Sequence, residues 1–129
     1  MFDYFKVSKF FLFIAPLAVM VISITTLFPF IVGRYVWFRM SVDLALIFFL
    51  VGFLVSRDPT AIISRVKEVF KKPLVIAVSI FTAIFILAGF FGINPSNSFW
   101  SNFERGEGGL QILHLWLFFI LISVLFREE

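Results

Sequence analysis

Arg39 and Asp43 stand four residues apart inside an otherwise apolar stretch, so on a helix both project from one face. A carboxylate held in lipid costs roughly 2.5–3.5 kcal/mol on insertion scales. Arg39 lowers that cost, and the face carrying the pair must turn inward. Counted from Tyr35, Arg39 lies about 6 Å and Asp43 about 12 Å along the helix axis. The long Arg39 side chain can reach the outer interface; Asp43 cannot. Two roles are open to the pair. It lines a polar cavity for an anionic or sugar-bearing substrate, or it satisfies itself and fixes helix packing.

The stretch from Asn94 to Gly109 offers a second chemistry. Asn97, Ser98, Ser101 and Asn102 supply neutral donors and acceptors of the kind that bind sugar hydroxyls. Arg105 is a fork-shaped donor suited to phosphate. Phe99, Trp100 and Phe103 suit the headgroup level of a bilayer. Gly106, Gly108 and Gly109 permit close approach of backbone to a ligand. The plainer alternative is an aromatic belt and a flexible turn. Glu104 and Glu107, three apart, are a carboxylate pair of the kind used in acid–base work, but beside Arg105 they also make a solvated ion pair. His114 is either a proton shuttle or a hydrogen-bonded packing residue. With no cysteine and one histidine, thiolate sites and multi-imidazole metal sites are excluded, and no metal or cofactor is expected.

The elements that hold these residues are set by composition. The chain has 129 residues, 61% hydrophobic and 15% charged, with 21 phenylalanines. Soluble domains carry far more charge, and a core this small cannot bury so many aromatic rings. Charge-free runs define an all-α, polytopic membrane protein with four transmembrane helices at about 10–33, 36–56, 73–93 and 110–126, in a single domain over 1–129. The first run is too long for a signal-peptide core, and no small-residue cleavage site follows it.

Orientation follows from the cations. Lys6, Lys9, Arg57, Arg65, Lys67, Lys71, Lys72 and Arg127 fall on one side and Arg34, Arg39 and Arg105 on the other, eight against three. Both termini are therefore expected in the cytoplasm. Asp58-Pro59 is a helix-start signature, and Ile62, Val66, Val69 and Phe70 recur at helical spacing beyond it. They predict a short amphipathic helix in the cytoplasmic interface, either a regulatory element or a connector. The cations flank apolar runs and form no stripe with exposed aromatics, so nucleic acid is not an expected partner.

Several strings, in order, resemble the O-antigen ligase and O-antigen polymerase superfamily. They are Phe28-Pro29-Phe30-Ile31-Val32-Gly33-Arg34 followed by Trp37-Phe38-Arg39 and Asp43; Lys72-Pro73-Leu74; Gly92-Ile93-Asn94-Pro95; Ser98-Phe99-Trp100-Ser101-Asn102-Phe103-Glu104-Arg105; and Leu113-His114-Leu115. The resemblance implies a multi-pass protein of the bacterial inner membrane. It implies transfer of glycan from an undecaprenyl-diphosphate carrier to a periplasmic acceptor, without a metal. The family's catalytic arginines and histidine belong to a large outer loop beyond the fourth helix, which this sequence does not contain. No catalytic residue is therefore assigned. Asn97, Trp100, Glu104, Arg105 and His114 are candidate substrate contacts, and Arg39 with Asp43 is the intramembrane pair. Expected partners are the bilayer, the lipid-linked glycan and the remaining transmembrane helices of a longer chain, and the chain as it stands is expected to be inactive. A small four-helix protein of the GtrA-like type, accessory to translocation of lipid-linked sugars, and a non-catalytic membrane subunit are the alternatives.

Overall fold

The computed structural model describes residues 3–22, 31–101 and 108–126. All regular structure among them is helical. The helices are α1 (Tyr4–Ile14), which continues as a 3-10 segment (Ala15–Met20), then α2 (Val32–Val55), α3 (Pro59–Phe70), α4 (Pro73–Phe90), α5 (Pro95–Trp100) and α6 (Gly109–Leu125). Two of them, α2 and α4, are long and apolar enough to cross a membrane, and α6 is a shorter apolar helix.

Local chemistry sets the boundaries. The first helix begins at Tyr4, six residues before the expected start, because the Asp3 side chain accepts from the Lys6 backbone N–H and caps it. It does not run on as one α-helix to residue 33. Pro16 has no N–H to give the Leu12 carbonyl, so the chain tightens to 3-10 geometry from Ala15 and becomes extended at Val21. Helix α2 starts at Val32 rather than 36. Asp43 therefore lies about 17 Å from its start, near the middle of a helix of about 36 Å. Pro73 opens α4 at the position proline tolerates best. That helix ends at Phe90 rather than 93.

Hydrogen bonds across the helices fix their directions. Ser8 Oγ donates to the Ala45 carbonyl at 2.7 Å and Trp37 Nε1 to the Ile14 carbonyl at 3.2 Å, so α1 and α2 are antiparallel. At Gly52 a Cβ would stand 3.1 Å from the Phe5 ring, which shows how closely those two helices approach. Trp116 Nε1 donates to Ser79 Oγ at 2.9 Å, and Val75 packs with Ile120 and Val124, so α4 and α6 are antiparallel. Arg39 meets Gln111 and Ala45 packs with Leu121, so α2 and α6 run parallel. One end of the bundle thus gathers Asp3, Ser56, α3, Pro73 and Phe126. The other gathers Met20, Val32, Phe90, α5 and Gly109.

The core is narrow. Leu12, Ala45, Leu121 and Leu125 form one buried cluster; Val69, Val75, Ile120 and Val124 form the second. Phe10, Phe13, Met40, Ile47, Phe81 and Ile84 point outward. An exterior this apolar is the kind covered by lipid or by another protein.

Helix α3 closes the first end. Asp58 caps it, accepting from Thr60 Oγ1 and from the Ala61 backbone N–H at 3.2 Å. Val69 is fully buried against α4 and α6, so part of the apolar face expected to meet lipid is used inside the protein. The Thr60 hydroxyl, then the Ala61 N–H, hold the Asp58 carboxyl below its ordinary range. A carboxyl lowered by folding stabilises fully above its unfolded range and loses that contribution as pH falls through the folded value. Amide exchange at Ala61 should therefore accelerate relative to neutral-pH protection as the medium is acidified, and Asp58→Asn should flatten that dependence.

Candidate functional site

Arg39 and Asp43 of α2 meet polar side chains of α6. Arg39 Nε donates to Gln111 Oε1 at 2.9 Å, and its guanidinium lies over the Tyr35 ring, 4.8 Å from the centroid. Asp43 Oδ1 lies 3.2 Å from His114 Nε2. Two polar rungs, one helical turn apart, therefore tie α2 to α6. This parallel register is what a heteropolar i, i+4 pair on one helix and Gln111 with His114, an i, i+3 pair, on the other can make.

Hydrogen-bond accounting constrains the second rung. His114 Nδ1 lies 2.7 Å from the Leu110 carbonyl oxygen, which only accepts. Nδ1 therefore carries a hydrogen and donates it. Nε2 faces Asp43, and an ionised carboxylate also only accepts. Both contacts are hydrogen bonds only if the pair holds one proton more than a neutral ring beside a carboxylate. Imidazolium with carboxylate meets that count, and so does imidazole with carboxylic acid. The His114 side chain is 12% exposed and that of Asp43 is 53% exposed.

Part of the stretch after α4, Pro95–Trp100, is helical. The Asn94 side chain accepts from the Asn97 backbone N–H at 3.3 Å and, with Pro95 following, starts α5. Asn97 and Trp100 are exposed on it. Phe99 packs between Phe90 at 5.9 Å and Trp100 at 5.6 Å. The glycines serve that packing: a Cβ at Gly108 would stand 2.3 Å from the Phe99 carbonyl oxygen, and one at Gly109 would stand 3.2 Å from the Phe99 ring. The close approach expected for a ligand is made by the protein to itself. Ser101 ends α5 at φ 60° and ψ −177°, a region nearly reserved for glycine. Ser101→Gly should therefore stabilise the protein by about 1 kcal/mol, read as a raised unfolding midpoint in detergent.

Of the residues singled out from the sequence, Asp43 and His114 come together, Arg39 lies one turn away on the next rung, and Asn97 and Trp100 lie on α5 at the same end of the bundle. Glu104 and Arg105 lie outside the described residues, as do Asn102, Phe103, Gly106, Glu107, Arg127 and the string Phe28-Pro29-Phe30. Gln111 was not anticipated. Its only signal is a polar side chain one turn before His114 at the start of an apolar helix. A cavity of about 440 Å³, lined among others by Asp3, Tyr4, Gly52 and Arg57, opens at the opposite end. Among the described residues no cluster of His, Asp and Glu is able to hold a metal ion. Comparison with protein-family models, with curated proteins and with solved structures returns no match.

Proposed function

We propose that the chain is a four-span protein of the bacterial inner membrane whose outer end engages a polyprenyl-diphosphate-linked glycan, the carrier used by the O-antigen ligase and polymerase superfamily it resembles. The first span in this reading is α1 with its 3-10 extension, about 28 Å together. The spans α2, α4 and α6 then alternate in direction. Lys6, Lys9, Arg57, Arg65, Lys67, Lys71 and Lys72 lie towards the end closed by α3, which makes that end cytoplasmic and α3 an interfacial helix.

The observation that carries the proposal is the grouping of polar function at the opposite end. The Arg39–Gln111 and Asp43–His114 rungs lie in the half of the bundle nearer α5, so cationic donors and sugar-binding amides lie towards one end. The role proposed is binding, not group transfer. His114 has both ring nitrogens engaged, which argues against its acting as a free base on a glycan hydroxyl. Arg105 is the cation proposed for the diphosphate, with Glu104 beside it, and Trp100 and Asn97 for the first sugar.

A photoreactive polyprenyl diphosphate added to proteoliposomes tests this. Labelling should fall on the 94–109 stretch, be competed by undecaprenyl diphosphate but not by undecaprenol, and drop about tenfold in Arg105→Ala. Equal competition by undecaprenol would reduce the site to a lipid-facing surface and overturn the proposal.

A further inference from the structure

The outward side of α2 carries Val36, Met40, Asp43, Ile47, Leu50 and Leu54, spaced four and three residues alternately, and every one of them is exposed. That is a seven-residue repeat, the pattern of a seam made to receive a neighbouring helix at a shallow left-handed crossing. Asp43 breaks its apolar character. With 53% of its side chain exposed, His114 on one flank and Arg39 one turn away, it projects from the middle of a helix long enough to cross a membrane. The outward side of α4 offers a contrast. There Leu74, Ile80, Phe81 and Ile84 are exposed and apolar, and acyl chains satisfy them.

We propose that this stripe of α2 seats a further transmembrane helix that carries a cationic side chain opposite Asp43. Acyl chains offer no hydrogen-bond donor to the exposed side of the Asp43 carboxyl, whereas an ammonium or guanidinium group gains a charge-assisted bond there. A second copy of the chain does not meet the need. Copies inserted with the same orientation are related by an axis along the membrane normal, which sets Asp43 against Asp43 at one depth and brings it no cation. One polar position in an otherwise apolar seam also fixes the register of the incoming helix. The inference rests on the membrane reading of α2 and not on the glycan reading, so failure of carrier labelling leaves it standing.

The test uses the 129-residue chain, labelled with a fluorescence donor in phosphatidylcholine and phosphatidylglycerol vesicles. The probes are leucine-based transmembrane peptides carrying an acceptor and a single midplane residue, lysine, leucine or aspartate. The lysine peptide should associate about tenfold more tightly than the leucine peptide. Asp43→Asn, which keeps the side-chain shape, should abolish the difference, and Ile47→Trp should weaken association while Ile80→Trp on α4 leaves it unchanged. Equal association of the lysine and leucine peptides, or a preference that survives Asp43→Asn, would overturn the proposal. So would energy transfer between two populations of the chain itself that is lost in Ile47→Trp, since a second copy would then occupy the seam.

Discussion

Replacing His114 by leucine should destabilise the folded bundle by on the order of 3 kcal/mol, and replacing Asp43 by leucine as well should restore most of that loss. The single change removes the donor that faces the Asp43 carboxylate at 3.2 Å and leaves that carboxylate in an apolar helix. The double change removes the group that needed the donor. Arg39→Leu is expected to cost less, about 1 kcal/mol, because the Gln111 amide that loses its 2.9 Å hydrogen bond is neutral. Reversible unfolding in mixed micelles measures all four proteins. A double variant less stable than His114→Leu would contradict the stranded-carboxylate account of the second rung.

The other large effect is expected at Gly108. Its added Cβ would meet the Phe99 carbonyl oxygen at 2.3 Å, the Phe99 carbonyl carbon at 2.8 Å and the Ser101 backbone nitrogen at 2.9 Å. These are backbone atoms, so no side-chain rotation relieves the clash. Gly108→Ala should cost on the order of 3 kcal/mol and lift α5 from the start of α6. Gly109→Ala meets the Phe99 ring at 3.2 Å and should cost less, because a ring edge can move. With Trp37 and Trp116 replaced by phenylalanine, Trp100 fluorescence reports α5 directly. A blue-shifted or unchanged Trp100 spectrum in Gly108→Ala, with an unaltered unfolding midpoint, would contradict the packing described.

Features fixed by neighbouring residues were legible in the sequence. Asp58-Pro59 announced α3 because a cap needs only a carboxylate and the next few backbone N–H groups. Asn94-Pro95 carries the same signature for α5, with Asn97 as the donor, but the polar residues after it read as a loop. Pro16 was lost among apolar neighbours, although its missing N–H is what turns the first span to 3-10 geometry. The Arg39–Asp43 spacing marked a charged face on the second span that was expected to turn inward, yet Asp43 is half exposed and the cross-helix partners were invisible. Gln111 and His114 are some 70 residues away, and only the parallel packing of α2 and α6 brings them opposite. The glycines near α6 marked a close approach, but spacing alone cannot say whether a ligand or Phe99 makes it.

The absence of cysteine from the chain permits a clean test of the membrane arrangement on which these assignments depend. Ser98→Cys places a thiol on α5 and Ser64→Cys places one on α3, both at exposed positions at opposite ends of the bundle. In intact spheroplasts a membrane-impermeant maleimide should label the thiol at 98 at once, and the thiol at 64 only after the membrane is opened. Labelling of both in intact spheroplasts, or of 64 alone, would contradict a bundle that crosses the membrane with α3 inside and α5 outside.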